Sequence, residues 1–401
     1  MHPAVETQLA VDSWVAAHED DLIALRRDLH AHPEIGHEEY RTTKQIVEFL
    51  GGLGLDPMVL PTGTGVVCDI GAGPADHGVI ALRADIDALP ILDAKDVPYR
   101  SMNIGISHAC GHDVHTTALL GAAAALANAG PLPGRLRLIF QPAEELIPGG
   151  ALQVLDSGAM GPVSQVFALH CDPGLDLGQI GLRIGPITAA CDTVTVRLSG
   201  PGGHTARPHL TADLVNALGK VIVETPALLS RRVDPRAGLL LVWGAVSAGV
   251  AGNAIPQSGS VRGTVRVLSR DAWVDAGTKV RDAIAAAIAG TGVTAEVDYE
   301  RGVPPVVNEA GAFDVQHRAA LATVGADGVT TTAQSMGGED FGWLTGERDG
   351  SLARLGVRTP TPTAHTHELH QGSFDIDERA IAIATRFTAH TALEAFAEPR
   401  S

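Results

Sequence analysis

The chain has 401 residues, 46 of them acidic and 29 basic, for a formal charge of −17, and 45% are hydrophobic. So negative a protein is a poor partner for nucleic acid or anionic membranes, and its length predicts two domains. Only 4% of residues are aromatic, so the cores must be built from Ala, Val, Leu and Ile. No run of about eighteen uncharged apolar residues occurs and Met1-His2-Pro3 has no basic head, so neither a membrane span nor a signal peptide is expected. Cys68, Cys110, Cys171 and Cys191 lack disulfide-framework spacing, which predicts a reducing cytoplasm.

From Ser13 to Arg27 the apolar positions fall on one face and predict a helix, and Arg41 to Leu50 repeats the pattern. Between them Leu29-His30-Ala31-His32-Pro33-Glu34 predicts a turn, because Pro33 disfavours helical geometry at His32. Strand-like runs follow at Gly65–Ile70, Val79–Arg83, Leu136–Phe140 and Val166–Leu169, with an Ala- and Leu-rich helix from Val114 to Ala129. Such alternation predicts an α/β domain with a mostly parallel sheet covered on both faces by helices. Asp85 and Asp87 follow one strand, Glu144 and Glu145 the next, and His170 the last. Open α/β sheets bind ligands beyond their strands' carboxyl ends, so these residues are expected to converge on one rim.

Near residue 188 the pattern changes. Cys191–Leu198 alternates like a half-buried strand, and a helix is expected from Ala212 to Leu229. Strands at Leu239–Ser247 and Gly259–Leu268, a helix from Asp271 to Ala289 and a strand at Val293–Tyr299 complete a β-α-β-β-α-β order. The expectation is a ferredoxin-like domain, 188–301, inserted into a discontinuous larger domain, 1–187 and 302–401. A final helix is expected from Asp377 to Glu394.

Several clusters have chemical and plain readings side by side. Cys110 and His112 precede a helix whose dipole favours a thiolate, the metal-binding form; the alternative is a buried cysteine beside a surface histidine. Glu144 and Glu145, in a turn, can divide ligation from proton transfer, or form a solvated acidic turn. Of Asp85 and Asp87, one can orient a ligating imidazole, or both can pair with Arg83 or cap a turn. His170 is a ligand or a satisfied strand-end histidine, and spacing does not choose among His365, His367 and His370. Gly202-Gly203-His204 offers a ring to a ligand or is a surface loop. There is no Gly-x-Ser-x-Gly elbow and no phosphate-binding Gly-x-x-x-x-Gly-Lys-Ser/Thr.

Taken in order, Arg27-Asp28-Leu29-His30-Ala31-His32-Pro33-Glu34, Leu82–Pro90, His108-Ala109-Cys110-Gly111-His112-Asp113 and Gln141-Pro142-Ala143-Glu144-Glu145 resemble the aminoacylase-like metallopeptidases. Gly203-His204, Gly252–Pro256 and Gly337–Phe341 fit the branch of hippurate hydrolases and plant indole-acetyl-amino-acid hydrolases. The resemblance implies an amidohydrolase with two divalent metals, Cys110 lying between them and His112, Glu145, His170 and His370 completing the shells. It implies Glu144 as general base and Asp87 as a supporting carboxylate. His204, often given by a partner subunit in this family, would stabilise the oxyanion, while Asn253 and Arg266 would hold the substrate.

The expected substrate is an N-acyl amino acid, attacked by metal-activated water without an acyl-enzyme. A dipeptidase or aminopeptidase, a non-catalytic metal-binding protein and a Cys110-nucleophile amidase are the competing readings. Zinc, manganese, cobalt and nickel all suit the donor set. A homodimer through the inserted domain is expected. Two departures stand out: Leu146-Ile147-Pro148-Gly149-Gly150 replaces a more glycine-rich run, and Gln371 follows His370 where relatives more often carry proline or arginine.

Overall fold

The computed structural model describes residues 3–71, 78–360 and 367–397. Helix α1 (Pro3–Ala17) and helix α2 (Glu19–Ala31) replace the single helix expected from Ser13 to Arg27. His18 separates them: its backbone leaves helical geometry and its ring stacks on Trp14 at 4.2 Å, with Nδ1 donating to the Trp14 carbonyl. Helix α2 also runs through Leu29 and His30, where a turn was expected. Only His32, directly before Pro33, is forced out, with φ −127° and ψ 54°. Helix α3 (Tyr40–Gly52) follows. Its first amides are capped from a distance, Arg41 and Thr42 donating to the two carboxylate oxygens of Glu34 at 2.9 and 2.8 Å.

The chain then lays down β1 (Met58–Val59), β2 (Val66–Ile70), β3 (Val79–Asp85), α4 (His112–Asn128), β4 (Arg135–Gln141), α5 (Ala151–Asp156), β5 (Val163–Asp176) and β6 (Ile180–Leu182). A compact unit of its own comes next, residues Pro186–Val306 with Gln334–Glu339. It contains β7 (Ala190–Ser199), β8 (Gly203–His204), α6 (Leu214–Arg232), β9 (Leu240–Ala248), β10 (Ala254–Ile255), β11 (Ser258–Val267), α7 (Arg270–Ile288) and β12 (Thr294–Val303). Its sheet has the order β9-β11-β7-β12, antiparallel throughout, which is the ferredoxin-like arrangement. Strand β7 alternates buried Val194, Val196 and Leu198 with more open polar residues, as a sheet packed on one face requires. At the foot of this sheet Asp192, wholly buried, accepts from Trp273 Nε1, Tyr299 Oη and Gly302 N.

The larger unit resumes with α8 (Ala310–Gly328), β13 (Val329–Thr331), α9 (Phe341–Glu347), β14 (Asp349–Arg358) and α10 (Arg379–Ala397). Its eight strands take the order β1-β2-β4-β3-β5-β14-β6-β13. The centre is parallel: β3 pairs with β4 and β5, and β5 with β14. Strand β2 departs from the parallel expectation and runs antiparallel to β4. The β2–β3 connection is too short to hold the crossover that a parallel pair demands.

All seven residues of β3 and six of the seven in β4 are buried, so both faces of the sheet are covered. Helix α4 is buried on every side from His112 to Leu126, and its composition of alanine and leucine suits that position. At Gly121 a Cβ would stand 2.8 Å from Leu22 and Thr385, so only glycine allows α2 and α10 this close to α4. Among the described residues no helix is long and apolar enough to cross a membrane.

Candidate metal centre

Three strands and one helix of the larger unit bring the centre together. Strand β3 ends at Asp85 and leads into Asp87; β4 ends at Gln141 and leads into Glu144 and Glu145. His170 lies inside β5, which continues to Asp176 rather than stopping before it as expected. Gly111, the residue before α4, has φ +86°, and a Cβ there would sit 2.9 Å from Cys171 Sγ. A glycine is therefore required between Cys110 and His112, and it turns the chain so that both side chains reach the same place.

Asp87 organises the ligands. Nδ1 of His112 donates to the Asp87 carbonyl at 2.9 Å and lies 3.2 Å from its Oδ1, while the amide of Glu145 donates to Oδ2 at 3.0 Å. With its Nδ1 so committed, His112 presents Nε2, which is buried and has no hydrogen-bond partner among the described residues. His170 is set in the same way: Nδ1 donates to the Cys171 carbonyl at 2.7 Å, leaving Nε2 3.5 Å from Cys110 Sγ. Oε1 of Glu145, also buried, lies 3.3 Å from Nε2 of His370. His370 has φ +64° and is held by its amide, which donates to the Ala109 carbonyl at 2.8 Å.

These atoms form two donor sets, each within 4.8 Å internally: Cys110, His112 and His170, and Cys110, Glu145 and His370. Cys110 is common to both sets. Burial, and then the carboxylates of Glu145, Glu144 and Asp85, push the Cys110 thiol well above its ordinary range, opposite to the helix-dipole expectation. Burial opposes charge on His112, but Asp85 and Asp87 outweigh it and push the ring up to about 10. Burial, with Arg354 next, holds His170 well below the usual range. A pocket that concentrates carboxylates around a thiol and imidazoles, and leaves buried lone pairs unmatched, suits divalent cations.

A third set, Asp85, His112 and His115, is close enough to ligate, but Asp85 and His115 are already engaged with other partners. Nδ1 of His115 bonds Asp85 Oδ1 at 2.5 Å, and its Nε2 accepts from the Cys171 amide at 2.8 Å. Asp85 also pairs with Arg83 at 2.6 Å, and Arg83 reaches Asp340 at 2.9 Å. Of the two readings open for Asp85 and Asp87, pairing with Arg83 fits Asp85, and orienting an imidazole fits Asp87. His115 and Asp340 stand in motifs legible from sequence, Cys110–His115 and Gly337–Phe341, but had no role of their own there. The available signal was the i, i+3 spacing of His112 and His115, which places both on one face of α4.

Glu144 is half-buried, with Oε2 3.9 Å from His112 Nε2. Of the remaining histidines, His365 lies outside the described residues, and His367 is exposed and belongs to neither donor set. His204, Asn253 and Arg266 are in the smaller unit. His204 is exposed on β8 opposite Ala254, and the Asn253 carbonyl accepts from Thr205, so these two share one edge. Arg266 is half-buried at the far end of β11, opposite Cys191. At ~3.3 Å per residue that is about 25 Å from the Ser258 end, which adjoins the His204 edge.

The comparisons with known proteins accord with this centre. Residues 81–394 match the peptidase family M20/M25/M40. A Rhodococcus jostii protein named as glutamate–cysteine ligase 2-3 is 47% identical over 95% of this chain, which spans only 48% of that protein's length. The N-acetyl-L-cysteine deacetylase of Bacillus subtilis is 37% identical, over 93% of this chain and 88% of its own. A crystal structure of a dinuclear metal-binding peptidase of the M20 family, also from Bacillus subtilis, superposes with a TM-score of 0.82 at 33% identity, covering 95% of this chain and 99% of that one. The chain belongs to the peptidase family M20/M25/M40.

Proposed function

We propose that this protein hydrolyses the amide bond of N-acyl amino acids, using two divalent cations held by Cys110, His112 and His170 on one side and Cys110, Glu145 and His370 on the other. The observation that carries the reading is the pair of donor sets sharing one buried thiol, with a further carboxylate, Glu144, beside them. Divalent cations bound there would polarise the substrate carbonyl and acidify water. The names of the Bacillus subtilis deacetylase and of the dinuclear peptidase support both the substrate class and the number of ions.

Glu144 is assigned as general base, its carboxylate taking a proton from the attacking water and delivering it to the leaving amine. Asp87 keeps the His112 proton on Nδ1 and the Nε2 lone pair directed at the cation position. His204 is assigned to the oxyanion, and Asn253 and Arg266 to the substrate's carboxylate or carbonyl. Because His204, on the two-stranded β8–β10 pair, and Arg266, at the far end of β11, stand far apart in the smaller unit, a small substrate gripped by both would draw them from two copies of the chain. This supports a homodimer.

The test is elemental analysis of purified protein, then hydrolysis of acetylated and benzoylated amino acids with and without chelator, beside the matching free dipeptides. Two ions per chain, loss of turnover on chelation and a preference for the acylated substrates are expected. Turnover that survives chelation and is blocked by alkylation of Cys110 would replace the metal reading with a cysteine nucleophile.

A further inference from the structure

The segment from Pro142 to Gly150, which carries Glu144 and Glu145, has no regular hydrogen-bonded structure of its own. It is fastened from outside by three buried carboxylates, those of Asp340, Glu39 and Asp87. At its ends, Asp340 accepts from Gln141 Nε2 at 2.8 Å and from the Ala151 amide at 2.9 Å. In its middle, immediately before Glu144, the Ala143 amide donates to Oε1 of Glu39 at 2.7 Å. Ala143 is wholly buried and has φ +53°, the left-handed region that a side chain disfavours. Its carbonyl is also engaged, accepting from the Gly150 amide at 3.0 Å. A non-glycine residue keeps such a conformation only where its surroundings hold it.

Glu39 is free for this task because of its neighbours. It stands at the start of α3 yet makes no capping bond to its own helix. Glu34 supplies that cap, through both of its carboxylate oxygens. The carboxyl of Glu39, wholly buried, crosses instead to a residue more than a hundred positions away. On the far side of the same turn, the Glu145 amide is tied to Asp87. Glu144 and Glu145 thus emerge between two fixed points. That is how adjacent carboxylates on one short turn can both come within 3.9 Å of His112 Nε2, while Glu145 also lies 3.3 Å from Nε2 of His370.

We propose that Glu39 is a positioning residue: by holding Ala143 in its left-handed conformation it sets the direction of Glu145 as a cation ligand and of Glu144 as base. This rests on the functional reading above for the roles of the two glutamates, but its measurement does not depend on turnover. The full-length metal-free protein is titrated with zinc(II) by calorimetry, comparing wild type with Glu39→Ala and Glu39→Gln. Glutamine keeps an oxygen that accepts from the Ala143 amide; alanine does not.

Glu39→Ala is expected to weaken one of the two ions about 10–100-fold, the range for losing an outer support of a metal ligand, and to leave the other within about threefold. Glu39→Gln is expected to hold both ions within about threefold. Adding Ala143→Gly to Glu39→Ala should recover part of the lost affinity, because glycine takes positive φ without an anchor. The double variant also carries the comparison if Glu39→Ala alone does not fold. Two ions bound by Glu39→Ala with wild-type affinity would overturn the proposal, and so would equal losses in the Ala and Gln variants. If wild type binds two ions yet cleaves no N-acyl amino acid, the functional reading falls, while the affinities still decide the role of Glu39.

Discussion

The backbone carbonyl of Asp87 accepts a hydrogen bond from Nδ1 of His112 at 2.9 Å, and the same residue's carboxylate accepts from the amide of Glu145 at 3.0 Å. One residue, on the loop after a buried strand, therefore fixes the tautomer of one ligand and the backbone of another. Cys110 belongs to each donor set, and Oε1 of Glu145 lies 3.9 Å from Nε2 of His112 and 3.3 Å from that of His370.

Asp87→Ala removes the carboxylate from Glu145 and one of the two supports of His112, keeping the carbonyl contact. Metal affinity is expected to fall about 10–100-fold, measured by competition with a chromophoric chelator. Asp87→Asn, whose one side-chain oxygen can still accept from the Glu145 amide, should fall less. Equal affinities in all three proteins would mean that Asp87 has no part in ordering the ligands.

Glu144→Gln keeps the size of the side chain and removes its proton affinity. Turnover of an N-acetyl amino acid should drop about 10²–10⁴-fold, the usual contribution of a general base, with two ions still present by elemental analysis. Loss of an ion in this variant would show instead that Glu144 ligates.

At Gly150 a Cβ would stand 1.8 Å from the Pro142 carbonyl oxygen, a backbone atom of the turn that carries the two glutamates. Gly150→Ala must therefore move the turn. Activity should fall at least as far as in Glu144→Gln, with a lowered midpoint of thermal unfolding. Gly158→Ala has no atom within 4 Å of its Cβ, but its φ of +76° makes it a control for backbone strain alone. It is expected to keep activity while losing a little stability.

Asp93, in the loop after β3, contacts His30 of α2 and accepts from the Ser101 and Lys95 amides, with the Lys95 ammonium beside it. Burial opposes its charge, but the His30 contact and those amides outweigh it and hold its carboxyl below the usual range. A depressed carboxyl stabilises the fold at pH values above its unfolded range, near 4, and that contribution is lost as pH falls further through the folded value. Asp93→Ala should cost about 1–3 kcal/mol at pH 7 by urea denaturation. The gap from wild type should narrow from about pH 4 downward, and a gap independent of pH would mean that packing, not charge, is what Asp93 contributes.

Much of this was legible in the chain itself. The alternation of buried strands with the alanine-rich helix at Val114–Ala129 marks the α/β unit because periodicity and composition are local properties. The same holds for β7 to β12, whose order names the smaller fold before any contact is known. Cys110, His112, Glu144, Glu145 and His170 could be proposed because chemically unusual residues follow apolar runs.

Tertiary structure decided what pairing across distance decides. The break at His18 comes from a ring stacking on Trp14, and the antiparallel course of β2 from a connection too short for a crossover. The carboxylates at 85 and 87 look alike in sequence; only Arg83 and His115 beside one, and His112 and Glu145 beside the other, separate their roles. The Cys110 thiol shows the limit most plainly. Sequence places it before a helix, where a dipole lowers a thiol, but burial, and then the carboxylates of Glu145, Glu144 and Asp85, push it the other way. Electrostatic fields in a buried site add over every charge nearby, and which charges are nearby is a property of the fold.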